Sequence, residues 1–261
     1  MAGVYCFIMV FLISCSSIRI PGKSSNKANL TRGSSYSEME GIDYQDHFAS
    51  LKDDFLNTPG LKKVQLDAVV GRYLQELVTE IIAKNEIFFK ELKQASVTII
   101  DTESPLHFSL PKGELFVSRG LISKYIKHES MLVSILSYEL VRSEKLLYPK
   151  ETIIPTGYMP LERMLTLGRL SLEEKMEIHK WAHHITERSG FDGEYYLSWL
   201  QIQNRNTADF ILQVGDANLI TREESLFKAH LIKNTTDNNI VKKNSSKNFY
   251  SLINKLRDGI L

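Results

Sequence analysis

Pro105–Glu144 reads PLHFSLPKGELFVSRGLISKYIKHESMLVSILSYELVRSE, and the order of elements within it decides the fold. A short extended segment runs into the turn Pro111-Lys112-Gly113. Glu114–Ser118 (ELFVS) follows as a strand, on its aromatic and β-branched content. From Glu129 to Lys145 the apolar residues Leu132, Val133, Leu136 and Leu140 recur at three- and four-residue spacing, the pattern of a helix with one buried face. Strand, turn, strand and helix in that order predict a small sheet packed on a helix.

Upstream, Val69, Val70, Tyr73, Leu74, Leu77, Val78, Ile81 and Ile82 predict a helix over 66–84, and a second short helix is expected around Ile87–Leu92. Ser96–Asp101 (SVTIID) reads as a further strand. Downstream, Pro149, Pro155 and Pro160 make 147–161 a loop. A long helix is expected over Leu172–Arg188, with Gly190 as its C′ residue and Asp192 capping a helix over Gly193–Gln203. Thr221-x-x-Glu224 has the form of a capping box opening a helix through Ile232. The fold class is therefore α+β and mainly helical, with the domain spanning 43–232. A polar linker over 233–248, with its lysines and asparagines read as a solvated tail, leads to a short amphipathic helix over 249–261.

The N-terminus has a different character. Val4–Ile13 is an apolar run of ten, too short to span a bilayer and of the length of a signal-peptide core. It ends in Leu12-Ile13-Ser14-Cys15, which resembles the lipobox of bacterial lipoproteins. The resemblance implies cleavage after residue 14 and lipidation of Cys15, with Ser16 favouring the outer membrane, so that the chain faces the periplasm. A plain cleaved signal is the alternative. Residues 16–42 are rich in Ser, Asn, Lys and Gly, and read as a flexible tether with a reach of about 30 Å. The chain of 261 residues carries a formal charge of +1, so no nucleic-acid surface is expected. Both cysteines, Cys6 and Cys15, lie in the N-terminal segment, which leaves no disulfide framework in the domain.

Phe108–Ile122 (FSLPKGELFVSRGLI) resembles a segment of the HtpX/CAAX-prenyl-protease type of zinc metallopeptidase, closest to its periplasmic, BepA-like and lipoprotein branch. Arg188-Ser189-Gly190-Phe191-Asp192 resembles a second motif of that family. The resemblance covers about residues 50–232 and implies a zincin-like domain with an H-E-x-x-H helix about twenty residues beyond the first motif. Two histidines at i and i+4 would hold Zn²⁺ there, with the intervening glutamate as general base.

At that position the sequence has Tyr138-Glu139-Leu140-Val141-Arg142. Tyr138 and Arg142 replace both histidines, while Glu139 keeps the position of the general base. The third-ligand glutamate of the family falls on Lys175, its accompanying aspartate on His179, and a later T-H-P element near Val214-Gly215-Asp216. These substitutions predict a chain without zinc or catalysis, with no cofactor. An ion-pair cluster of Tyr138, Glu139 and Arg142 with Lys175, Glu174 or Glu177 would replace the metal and tie the two long helices. His179 and His183 have a spacing that would suit a metal, with His184 and Glu177 close by. A packed or exposed helix face accounts for them better, because no third ligand converges from sequence. Three functions follow. The first is a binding or scaffold lipoprotein, with an envelope protein or peptide in the cleft near Glu114–Ser118, the edge strand in the family. The second is a zinc metalloendopeptidase with displaced ligands, acting in envelope protein quality control. The third is a structural lipoprotein with a closed cleft.

Overall fold

The computed structural model describes residues 41–148, 157–234 and 242–258. The apolar N-terminal run, Cys15 and most of the tether lie outside the described residues, as do 149–156 and the middle of the polar linker. Among the described residues no helix is long and apolar enough to cross a membrane.

Nine helices and three strands are described. They run α1 (Gly41–Leu56), α2 (Ala68–Lys84), β1 (Ser96–Ile100), β2 (His107–Leu110), β3 (Glu114–Ser118), α3 (Glu129–Glu144), α4 (Leu161–Leu167), α5 (Leu172–Arg188), α6 (Glu194–Arg205), α7 (Thr207–Val214), α8 (Ala217–Lys233) and α9 (Lys247–Asp258). The protein is α+β and mainly helical. The sheet order is β1-β3-β2, with β1 parallel and β2 antiparallel to β3. Because strand side chains alternate between faces, Ile99, Leu115 and Val117 point to the core formed with α2 and α3. Ile100, Phe108 and Phe116 point the other way, to a second core with Phe48, Leu51 and Phe55 of α1. Each fully buried side chain of this size contributes about 1.5–3 kcal/mol.

At the centre lies α3. Every residue from Glu129 to Ser143 is buried, not the single face that the apolar spacing predicts. The small Ser130, Ser134, Ser137 and Ser143 allow close packing on the remaining sides, and the Ser134 hydroxyl donates to the Ser130 carbonyl. A helix surrounded by protein need not be apolar all round if most of its polar groups find partners; here Ser137 Oγ and Glu139 Oε2 are buried without a hydrogen bond among the described residues.

Several boundaries differ from the sequence reading, each for a local reason. No helix forms over Ile87–Leu92. The Glu144 carboxylate at the end of α3 accepts from the amides of Lys90, Glu91 and Leu92 instead, at 2.8, 3.2 and 2.9 Å. Thr221 and Glu224 lie inside α8, which starts four residues earlier where Asp216 accepts from the Asn218 amide. Thr221 and Glu224 both bond to Asn204 of α6. Asp192 accepts from the Glu194 amide at the start of α6, and Gly190 takes the left-handed C′ conformation (φ 85°) after α5. The end of the expected linker is docked, not solvated: Glu129 accepts from Tyr73 Oη (2.6 Å), Ser246 N (2.6 Å) and Ser246 Oγ (2.9 Å), which seats α9 beside α2. Lys243 pairs with Glu80 and lies over the Phe191 ring.

Candidate functional site

The positions that would hold metal in a zinc peptidase come together. Period-2 alternation turns His107 of β2 toward α3, where its Nδ1 lies 2.5 Å from Glu139 Oε1. With the proton on Nδ1, His107 donates to the carboxylate. On the next turn of α3, Arg142 lies with Nη1 at 3.9 Å from Glu139 Oε2. Its guanidinium is fixed more firmly by carbonyls: Nε donates to Leu147 (3.2 Å) and Nη2 to Gly168 (2.6 Å), with the Tyr148 ring beneath it. Gly168 leaves the room this requires, since a Cβ there would lie 3.0 Å from Nη2.

A second ion pair stands opposite. Lys175 of α5 donates to Glu223 of α8 at 2.5 Å. One turn along α5, His179 places Nδ1 2.9 Å from Tyr196 Oη and Nε2 3.4 Å from the other oxygen of Glu223. Tyr138 lies between His107 and His179, edge-on to the first at 5.7 Å and tilted to the second at 5.0 Å. Glu139, Arg142, His179 and Glu223 are all buried. Two carboxylates thus face two cations across a tyrosine, and the cluster is charge-balanced by its own side chains.

Burial alone would raise the pKa of Glu139, but the hydrogen bond from His107 and the charges of His107 and Arg142 hold it below its ordinary value. Glu223 behaves likewise: burial raises it, and the His179 contact and the Lys175 charge overcome that. Burial depresses His179 and keeps it neutral, against the pull of Glu223. The Tyr138 hydroxyl is pushed up by burial and by the Glu223 and Glu139 charges.

Two of the expected members do not join, and the cluster does not tie α3 to α5 by charge: among the described residues Glu139 and Arg142 bond to His107 and to the Leu147 and Gly168 carbonyls, whereas Lys175 and His179 bond to α8 and α6. Glu177 points outward to Lys145. Glu174 completes a capping box with Ser171 at the start of α5, its Oε2 accepting from Ser171 N at 2.8 Å. The cluster draws instead on His107, Glu223 and Tyr196, none of which the sequence singles out. Only His107 leaves a trace there, as a histidine alternating with apolar residues in Leu106–Leu110. Glu223 sits among Arg222, Glu224 and Ser225 with nothing to mark it.

The residues do not suit the Zn²⁺ that the metallopeptidase resemblance implies. Two of the three ligand positions are cationic; Glu223 is engaged through both oxygens, and Glu139 is held by His107 through Oε1 while its Oε2, buried without a hydrogen bond among the described residues, faces Arg142. Among the described residues, the only group of three ligating side chains within 4.8 Å of one another lies elsewhere, at His183, His184 and Glu187. A cavity of ≈ 40 Å³ remains among His107, Glu139, Arg142, Lys175 and Glu223. That is room for a few waters at most, at about 10–15 Å³ each, and not for a peptide.

Nor does Glu114–Ser118 form an edge. It is the central strand, with β1 and β2 paired on its two sides. The edge beside α3 is β2, and there Gln213 of α7 takes the place of a neighbouring strand. Its Oε1 accepts from His107 N at 3.0 Å and its Nε2 donates to His107 O at 2.6 Å.

No protein-family model matches the chain, and no curated protein sequence is significantly similar to it.

Proposed function

We propose that this protein is a non-catalytic scaffold with a metallopeptidase-like domain, held at the bacterial envelope by a lipid on Cys15. The observation that carries the reading is the neutralised pair of carboxylates. Glu139, at the position of the general base, is spanned by His107 and Arg142. Glu223 is spanned by Lys175 and His179. A general base needs a water of lowered pKa to act on, which in such enzymes the metal supplies. An Arg and a Lys in place of two ligands repel a dication and remove that supply. Gln213 on the β2 edge and the small cavity favour a closed cleft over one that binds a strand, so partners would meet the outer surface.

Hydrolysis of a denatured substrate protein, with and without added Zn²⁺, tests the reading. The expected result is no hydrolysis that Glu139→Gln removes. Zinc-dependent proteolysis abolished by Glu139→Gln would establish the enzyme reading instead. Anchoring is tested separately: Cys15→Ala is expected to move the protein from the membrane to the soluble fraction.

A further inference from the structure

The cluster of ligating side chains on α5 stands apart from the cleft. One nitrogen of His183, one of His184 and a carboxylate oxygen of Glu187 lie within 4.8 Å of one another. Nδ1 of His183 is 3.7 Å and Nδ1 of His184 is 3.9 Å from Glu187 Oε2. Both separations exceed a hydrogen bond. They lie close to the distance between two ligands of one tetrahedral ion, about 3.4 Å for bonds of about 2.0–2.1 Å. Small side-chain rotations close the difference.

The His183 ring is held in place for this role. It packs edge-on against Tyr196 and Phe227, with centroids at 6.0 and 5.6 Å. Its Nε2 abuts Gly193, where a Cβ would lie at 2.7 Å. That leaves Nδ1 turned to Glu187, buried and without a hydrogen-bond partner among the described residues. A buried ring nitrogen without a partner is costly and asks for an explanation. Glu187 has no lysine or arginine within 4.0 Å among the described residues; Lys242, nearby, is held by Asp192 at 2.8 Å and Glu194 at 3.3 Å. The side chain of His184 is 55% exposed, so the group opens to solvent on one side.

We infer that His183, His184 and Glu187 bind a divalent transition metal, two imidazoles and a carboxylate leaving a coordination position open to water. Imidazole with one carboxylate suits Zn²⁺ and Co²⁺ over Mg²⁺ or Ca²⁺. The site is separate from the Glu139 cluster and does not depend on the reading of that cluster. Charge is compensated in part by Glu187.

The test is metal binding by the full chain, purified in detergent, stripped with chelator and dialysed against Zn²⁺ or Co²⁺ alone. One Zn²⁺ per chain is expected, with Co²⁺ giving the visible absorption of a four- or five-coordinate ion. His184→Ala, at an exposed position that leaves the core intact, is expected to weaken binding at least about tenfold, as is Glu187→Gln. Glu139→Gln should leave it unchanged. No stoichiometric metal, or metal retained equally by His184→Ala and Glu187→Gln, would overturn the inference. Metal lost in Glu139→Gln alone would place it in the cleft and overturn both this site and the scaffold reading.

Discussion

Nδ1 of His107 lies 2.5 Å from Oε1 of Glu139, and this contact joins β2 to the central helix α3. The other oxygen of Glu139 faces Arg142 Nη1 at 3.9 Å. A buried charge pair of this kind is weak evidence for net stability, yet removing one partner strands the other. Glu139→Ala should therefore destabilise the protein by about 3–5 kcal/mol. The double substitution Glu139→Leu/Arg142→Leu should cost less than the sum of its single substitutions by at least about 1 kcal/mol. Urea unfolding of the four proteins measures the cycle, and additive costs would show that the two side chains do not act as a pair.

Acid should lower the stability of the protein in two limbs. His179 stays neutral in the fold because burial holds its pKa below 6.5, whereas the unfolded chain takes up the proton near that value. Its contribution is complete above pH 6.5 and declines as the pH falls below it, by up to about 1.4 kcal/mol per pH unit. Glu139 and Glu223 have lowered folded values. Their contribution is complete above about pH 4.5 and is lost as the pH falls through the folded values. Unfolding free energies between pH 8 and 3 should show both limbs. His183, which burial holds down to about 4, contributes to the limb that begins near pH 6.5 as well, so His179→Gln should make that limb shallower, and an unchanged slope would contradict the assignment.

Two glycines should respond in opposite directions to alanine. Gly120 has ordinary helical angles, but a Cβ there would lie 2.0 Å from the Glu103 carbonyl oxygen. Gly120→Ala should cost about 1–3 kcal/mol through overpacking. Gly71 lies within α2, and a Cβ there meets nothing closer than the Leu66 Cβ at 3.9 Å. Gly71→Ala should stabilise by about 0.5–1 kcal/mol, because a helix interior favours alanine. Thermal unfolding of both variants checks the pair.

Gln213→Ala should open the β2 edge. Two hydrogen bonds to the His107 backbone disappear, at a net cost of about 0.5–1.5 kcal/mol each. The His107 amide should then exchange with solvent much faster, while those of β3, paired on both sides, keep their protection. Equal exchange in both proteins would show that Gln213 does not guard the edge.

The sequence makes the central strand and helix legible because Glu114–Ser118 and Glu129–Lys145 carry unmixed signals, one β-branched and aromatic, the other helically periodic. Gly113 and Gly120, inside the motif that suggests a metallopeptidase, have structural reasons to be glycine: φ 74° at the first and contact with Glu103 at the second. What stayed hidden depends on long-range partners. The Asn206 that precedes α7 makes no side-chain cap, and Ile87–Leu92 has helical composition but is pinned by Glu144 from 52 residues away. The site was half legible. Tyr138, Glu139, Arg142 and Lys175 converge where the motif places them. Their actual countercharges, His107 and Glu223, come from elements whose register the sequence does not reveal. Glu177, the more obvious carboxylate, lies one helical face away and pairs with Lys145.

Under the scaffold reading, side chains of the chain itself occupy the place between Glu139 and Lys175 that a metal would take. Crystals grown with Zn²⁺ and measured at the zinc absorption edge test it directly. No anomalous density is expected among Glu139, Arg142, Lys175 and Glu223, with Arg142 still bonded to the Leu147 and Gly168 carbonyls. A zinc peak within bonding distance of the Glu139 carboxylate, with Arg142 displaced, would contradict it.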